Sequence, residues 1–114
     1  MAIQPNTTFI NSAATTNATS VKASQGILVS VSVSNINAAA RYLKLYNKAS
    51  APTVGTDVPV MTIPIPAGTI ASPYINANGV NFSTGIALAI TAAAADSDTT
   101  AVAANEIKVA INYL

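Results

Sequence analysis

The chain has 114 residues, 8% of them charged, with a net charge of +1 and a mean hydropathy of +0.46. It contains no Cys, His or Trp, which excludes disulfides, thiolate or imidazole metal ligation and histidine acid–base chemistry. So weak a net charge provides no field to draw in nucleic acid or an anionic membrane.

This length suits one domain around one core. Charge lies far below the roughly 25% of ordinary domains, and a lone particle of positive hydropathy lacks the charge that keeps proteins dispersed. Much of the surface is therefore expected to be covered by neighbours, as in a subunit of an assembly. Residues 1–5 show no basic stretch followed by an apolar run and do not read as a secretory signal. The most apolar run, residues 86–95, is too short to span a bilayer.

Residues 1–17 are polar and without period, apart from Ile3, Phe9 and Ile10, which would gain from cover. They read as an extended arm or a first edge strand, with the domain proper at residues 18–114. A short strand is expected at residues 19–22, then a turn at Ser24-Gln25-Gly26. In residues 26–34, Val29, Val31 and Val33 alternate with Ser30, Ser32 and Ser34, which puts valines on one face of a strand and serines on the other. Valine's branched Cβ favours a pleated surface, so this is the expected central strand.

Asn35-Ile36-Asn37 closes that strand, and the short gap before the next run suggests a hairpin. In residues 41–48, Leu43 and Leu45 point one way, and Tyr42, Lys44, Tyr46 and Lys48 the other. Residues 49–57 are a loop. Pro59, Pro64 and Pro66 bracket an apolar run in which Met61, Ile63 and Ile65 share a face; proline confines it to an edge or to a crossing between sheets. Residues 69–76 are weakly extended and interrupted by Pro73, and Asn78-Gly79 is a tight turn leading to inward-facing Val80 and Phe82. Residues 85–91 form a buried strand with Ile86, Leu88 and Ile90 on one face. After a loop at 92–105, Ile107, Val109, Ile111 and Tyr113 alternate with Lys108, Ala110 and Asn112 in a last strand. About eight short strands divided by turn signals define an all-β fold: a single antiparallel β-sandwich, jelly-roll or Ig-like, with an N-terminal arm.

The chemistry is sparse. Asp96, Asp98 and Glu106 are three of the four acids. Alternate carboxylates suit calcium, but the Gly and Glu offsets of an EF-hand loop are missing, and loop carboxylates that satisfy backbone N–H groups are the simpler reading. A glycosidase pair needs a cleft that this chain does not suggest, and no nucleophile has a base beside it. No enzymatic activity, cofactor or metal is expected. The Tyr42, Lys44, Tyr46, Lys48 stripe is first an ordinary outer face with lysine stems on apolar surface, and second a subunit interface. Sheet-type nucleic-acid binding ranks below both because the net charge opposes it. The candidate interface is therefore Ile3, Phe9, Ile10, Tyr42, Lys44, Tyr46 and Lys48.

Residues 41–57, Arg-Tyr-Leu-Lys-Leu-Tyr-Asn-Lys-Ala-Ser-Ala-Pro-Thr-Val-Gly-Thr-Asp, followed by Val60-Met61-Thr62-Ile63-Pro64-Ile65-Pro66, resemble a family of small proteins of tailed bacteriophages and prophages. The blocks Phe82-Ser83-Thr84-Gly85-Ile86-Ala87 and Ala94-Ala95-Asp96-Ser97-Asp98-Thr99 follow in that family's order. The resemblance covers residues 26–113 and leaves the N-terminal segment outside. It implies a virion structural protein, made in the host cytoplasm and carried on the phage head surface as a capsid cement or decoration protein. The implied partners are the major capsid protein and further copies of the chain as a homotrimer, with no nucleic acid and no membrane. A tail or fibre component touching host glycan, and a free carbohydrate- or metal-binding module, are the alternative expectations.

Overall fold

The computed structural model describes residues 4–114. Among them no helix forms, and nine strands run in chain order: β1 (Asn6–Asn11), β2 (Thr19–Lys22), β3 (Gly26–Asn35), β4 (Arg41–Asn47), β5 (Met61–Ile65), β6 (Thr69–Ala71), β7 (Val80–Phe82), β8 (Ile86–Thr91) and β9 (Ile107–Tyr113). They form two antiparallel sheets. The first has the order β1-β9-β3-β6, with β7 also paired to β3, and the second has the order β2-β8-β4-β5. The pairings nest: β1 lies on β9, β2 on β8, β6 and β7 on β3, and β5 on β4.

The inner faces of the sheets meet in one core. Leu28, Val31, Val33, Phe82, Ile107, Val109 and Ile111 of the first sheet pack with Leu43, Leu45, Ile63, Ile65, Ile86, Leu88 and Ile90 of the second, and Val102 closes the cluster from the long loop. The alternation expected of β3, β4, β5 and β9 is what points these residues inward.

Two expectations need correction. The valine–serine run is interrupted by a register shift between Leu28 and Ser30. That shift carries Leu28 into the core in place of Val29, while Val31 and Val33 keep the expected face. Second, β3 and β4 do not form a hairpin, because they belong to different sheets. Asn35, buried at the corner, donates to the carbonyls of Ala39 and Ile65, and its Oδ1 accepts from the Asn37 N–H. These bonds stabilise a crossing between the layers where a tight turn would have kept the chain in one sheet. Pro64 lies on an edge strand, β5, and the chain crosses to the first sheet after it, as proline's missing donor requires.

Residues 6–11 are the edge strand of the first sheet, paired along their whole length with β9 from Asn6↔Tyr113 to Asn11↔Lys108. The segment continues to matter beyond the strand. The buried Ser12 hydroxyl donates to Ala103 O and accepts from the N–H groups of Glu106 and Ile107. The Thr15 and Thr16 carbonyls accept from Val102 and Ile90. Residues 6–16 are therefore bound into the double-sheet body, where the expectation had been an N-terminal arm at residues 1–17 beside a domain at 18–114.

Gly85 marks the closest backbone approach. A Cβ there would sit 2.6 Å from Lys48 O and 2.7 Å from both Ala49 Cα and Lys22 O, so three segments converge where only glycine has room.

Candidate interaction surfaces

The two sheets have outer faces of opposite character. On the second sheet, the register sets Ala87 beside Tyr46, Ala89 beside Lys44 and Thr91 beside Tyr42 across β8 and β4. Ala87, Ala89 and Tyr46 form a small apolar cluster with Val54 of the β4–β5 loop over it. Lys44 is completely buried, and its Nζ donates to Ala95 O of the β8–β9 loop. The stripe expected to be open is thus largely beneath the chain's own loops. Tyr46 is 1% exposed, Tyr42 is half-buried, and Lys48 is tied to Asp57 by an ion pair.

Those loops are held by carboxylates. Asp98 accepts from the N–H groups of Ala93 and Thr100 and from the Thr100 hydroxyl. Desolvation pushes its pKa up, but the Thr100 and Ala93 hydrogen bonds and the Lys44 charge outweigh it and leave the carboxyl below its ordinary value. Asp57 accepts from Lys48 and from the Thr53 N–H, and the bond from Lys48 lowers its pKa most. Loss of water raises the pKa of the Tyr46 phenol, with smaller contributions from the charges of Asp57 and Asp96. The Tyr46 hydroxyl is buried and has no hydrogen-bond partner.

A third polar knot lies at the β3–β4 corner. Glu106, 6% exposed, accepts from Arg41 Nε at 2.9 Å, from the Ala103 N–H and from the Asn37 side chain. Burial raises its pKa, and these donors together bring it below the ordinary value.

On the first sheet the outer face, among the described residues, is exposed or half-buried throughout. Its rows, read across the ladder, are Thr7–Asn112–Ser30, Phe9–Ala110–Ser32 and Asn11–Lys108–Ser34–Ile70. Phe9 and Ile70 stand 62% and 72% exposed, Phe9 beside Ala110 and Ile70 beside Ser34. Ile10, the adjacent residue of β1, turns the other way and packs against the core. Of the apolar residues near the start of the chain, Phe9 is therefore the one presented to solvent, and Ile3 lies outside the described residues.

The covering of the second sheet had a signal in the sequence. In Ile86-Ala87-Leu88-Ala89-Ile90 no outward position is polar, and all five residues are buried. A strand apolar on both faces is one covered on both faces, and Lys44 and Tyr46 lie on its immediate neighbour.

Comparison with known proteins finds no family model, no curated protein and no solved structure that matches this chain.

Proposed function

We propose that the chain is a virion structural protein of a tailed bacteriophage, a capsid cement or decoration protein seated where major capsid subunits meet on the head. The observation that carries this reading is the nested pairing of the strands. β1 on β9, β2 on β8, β6 and β7 on β3, and β5 on β4 describe one long hairpin folded over into two layers. That nesting supports a jelly-roll reading of the two sheets, a double-sheet architecture used by viral capsid and lectin domains. The resemblance of residues 41–66, 82–87 and 94–99 to small tailed-phage proteins supports the same reading.

The surface supports a contact role as well. The outer face of the first sheet is uncharged apart from Lys108 and carries Phe9 and Ile70 in the open. Such a face can lie against another protein without desolvating many charges. A cement protein acts through binding energy: attachment to the assembled shell and not to its free subunits stabilises the shell by mass action.

The test is the protein inventory of purified phage particles from the producing bacterium. The reading expects this chain in heads at a copy number comparable to the major capsid protein. A copy number far below it assigns the chain to the tail or fibres, and absence from particles overturns the reading.

A further inference from the structure

We propose that β1 is a docking edge for a second copy of this chain, paired antiparallel to its own β1 about a two-fold axis at Phe9. The proposal is independent of the virion reading and concerns self-association alone.

Edge strands present unpaired N–H and C=O groups, and proteins usually blunt them with charge, proline, bulges or brevity. The other edges here carry such devices. β5 contains Pro64, β2 ends in Lys22 with a register shift, and β6 and β7 have three residues each. β1 has six residues, Asn-Thr-Thr-Phe-Ile-Asn, with no charge, no proline and no register shift against β9.

The alternation of the ladder determines which groups are free. The Ser12 N–H bonds to Ile107 O, so residues of the same parity in β1, namely Ile10, Thr8 and Asn6, direct their backbone groups toward β9. Those of Thr7, Phe9 and Asn11 face outward. Three outward residues centred on Phe9 are self-complementary. A two-fold axis there sets Phe9 against Phe9 of the second copy, and Thr7 against Asn11 of the second copy at both ends. Every outward N–H and C=O then has a partner.

Both ends of this pairing are bounded. Pro5 has no N–H to offer, and Ala13 is already engaged in its own turn, its N–H bonded to Asn17 Oδ1 and its carbonyl to Thr15 N and Asn17 Nδ2. The two-fold register sets Pro5 opposite Ala13 of the second copy, so the ladder closes where each chain stops needing it. Electrostatics permits the union. The nearest charge on this face, Lys108, lies one strand in and opposite Asn11, so it and its symmetry mate are about 20 Å apart by strand spacings, well beyond the screening length of physiological salt. The paired Phe9 rings, 62% exposed in the single copy, make a cross-strand aromatic pair.

Because the chain has no cysteine, single-cysteine variants read the register directly. Directly opposed hydrogen-bonded residues have Cα atoms about 5.5 Å apart, within disulfide reach. Position 7 and its mate are four residues out of register, about 13 Å apart, and beyond reach. Phe9→Cys is expected to cross-link to itself on mild oxidation, Thr7→Cys and Asn11→Cys each to stay uncross-linked alone, and their mixture to cross-link. Wild type should show a concentration-dependent monomer–dimer equilibrium by sedimentation. Phe9→Lys, which sets two ammonium groups face to face, should weaken it at least tenfold while the monomer melts as before. Wild type that stays monomeric or forms trimers, cysteines that cross-link equally at all three positions, or Phe9→Cys that fails to cross-link each overturns the proposal. An edge that captures only an extended segment of another protein falls among the monomeric outcomes.

Discussion

The outer faces of the two sheets are built from the same kind of alternating strand, yet one is interior and the other is surface. On the second sheet, Lys44 and Tyr46 occupy outward positions and are as buried as the core beneath them, because residues 50–57 and 92–99 lie across them. On the first sheet, Ser32, Lys108 and Phe9 occupy equivalent outward positions and remain exposed. The difference teaches that pleat parity assigns a side chain to a face, while the loops decide whether that face meets water.

The largest expected effect tests the first sheet. Deleting residues 1–17 removes β1, the packing of Ile10 and the buried Ser12 hydroxyl that binds three backbone groups at the start of β9. The truncated chain is expected not to fold, as circular dichroism and a melting curve would show. A truncated chain that melts like the full one would return the segment to the role of a detachable arm.

Next in size is a matched pair of truncations on the two outer faces. Tyr46→Ala empties a site beneath the loops and should cost about 3–5 kcal/mol. Phe9→Ala at dilutions where the protein is monomeric should stay within about 0.5 kcal/mol of wild type. Urea unfolding of both variants measures the contrast. Tyr46→Phe sharpens it, since the buried hydroxyl has no partner and its removal should cost nothing or stabilise the fold.

A smaller effect than the Tyr46 truncation concerns acid. Glu106 has a folded pKa below its ordinary 4.5, so its contribution is complete above that value. It is lost as pH falls from there through the lowered folded value. Asp57 and Asp98, both lowered from 3.8, act in the same direction in the loops over the second sheet. Glu106→Gln should destabilise by about 1–3 kcal/mol at neutral pH and flatten the acid limb of the stability profile. A profile with an unchanged acid limb would mean that the other carboxylates carry it.

The fold was legible where one physical signal dominated. Period-two alternation marked β3, β4 and β9, and proline marked β5 as an edge. The register shift at Leu28 was not legible, because Ile27, Leu28 and Val29 are three consecutive apolar residues that hide the change of phase. β1 was only half legible, since Thr7-Thr8-Phe9-Ile10 sets two apolar residues side by side and shows no period. The corner after β3 was misread as a hairpin because Asn35 and Asn37 suit a tight turn and a crossing equally well; the buried bonds from Asn35 to Ala39 and Ile65 decide between them. For the interaction surface, sequence placed Phe9 and the Tyr42–Lys48 stripe in one category. Loop placement separates them, and the loops carry no periodic signal; the covering shows in the sequence only through β8, whose outward positions Ala87 and Ala89 are apolar.

Lysine labelling tests the central contrast most directly, because Lys44 and Lys108 occupy outward positions on the two different sheets. Brief treatment of the native protein with an amine-reactive reagent, read by peptide mass spectrometry, should modify Lys108 readily and leave Lys44 untouched until the protein is unfolded. Equal modification of Lys44 and Lys108 in the native state would contradict the account.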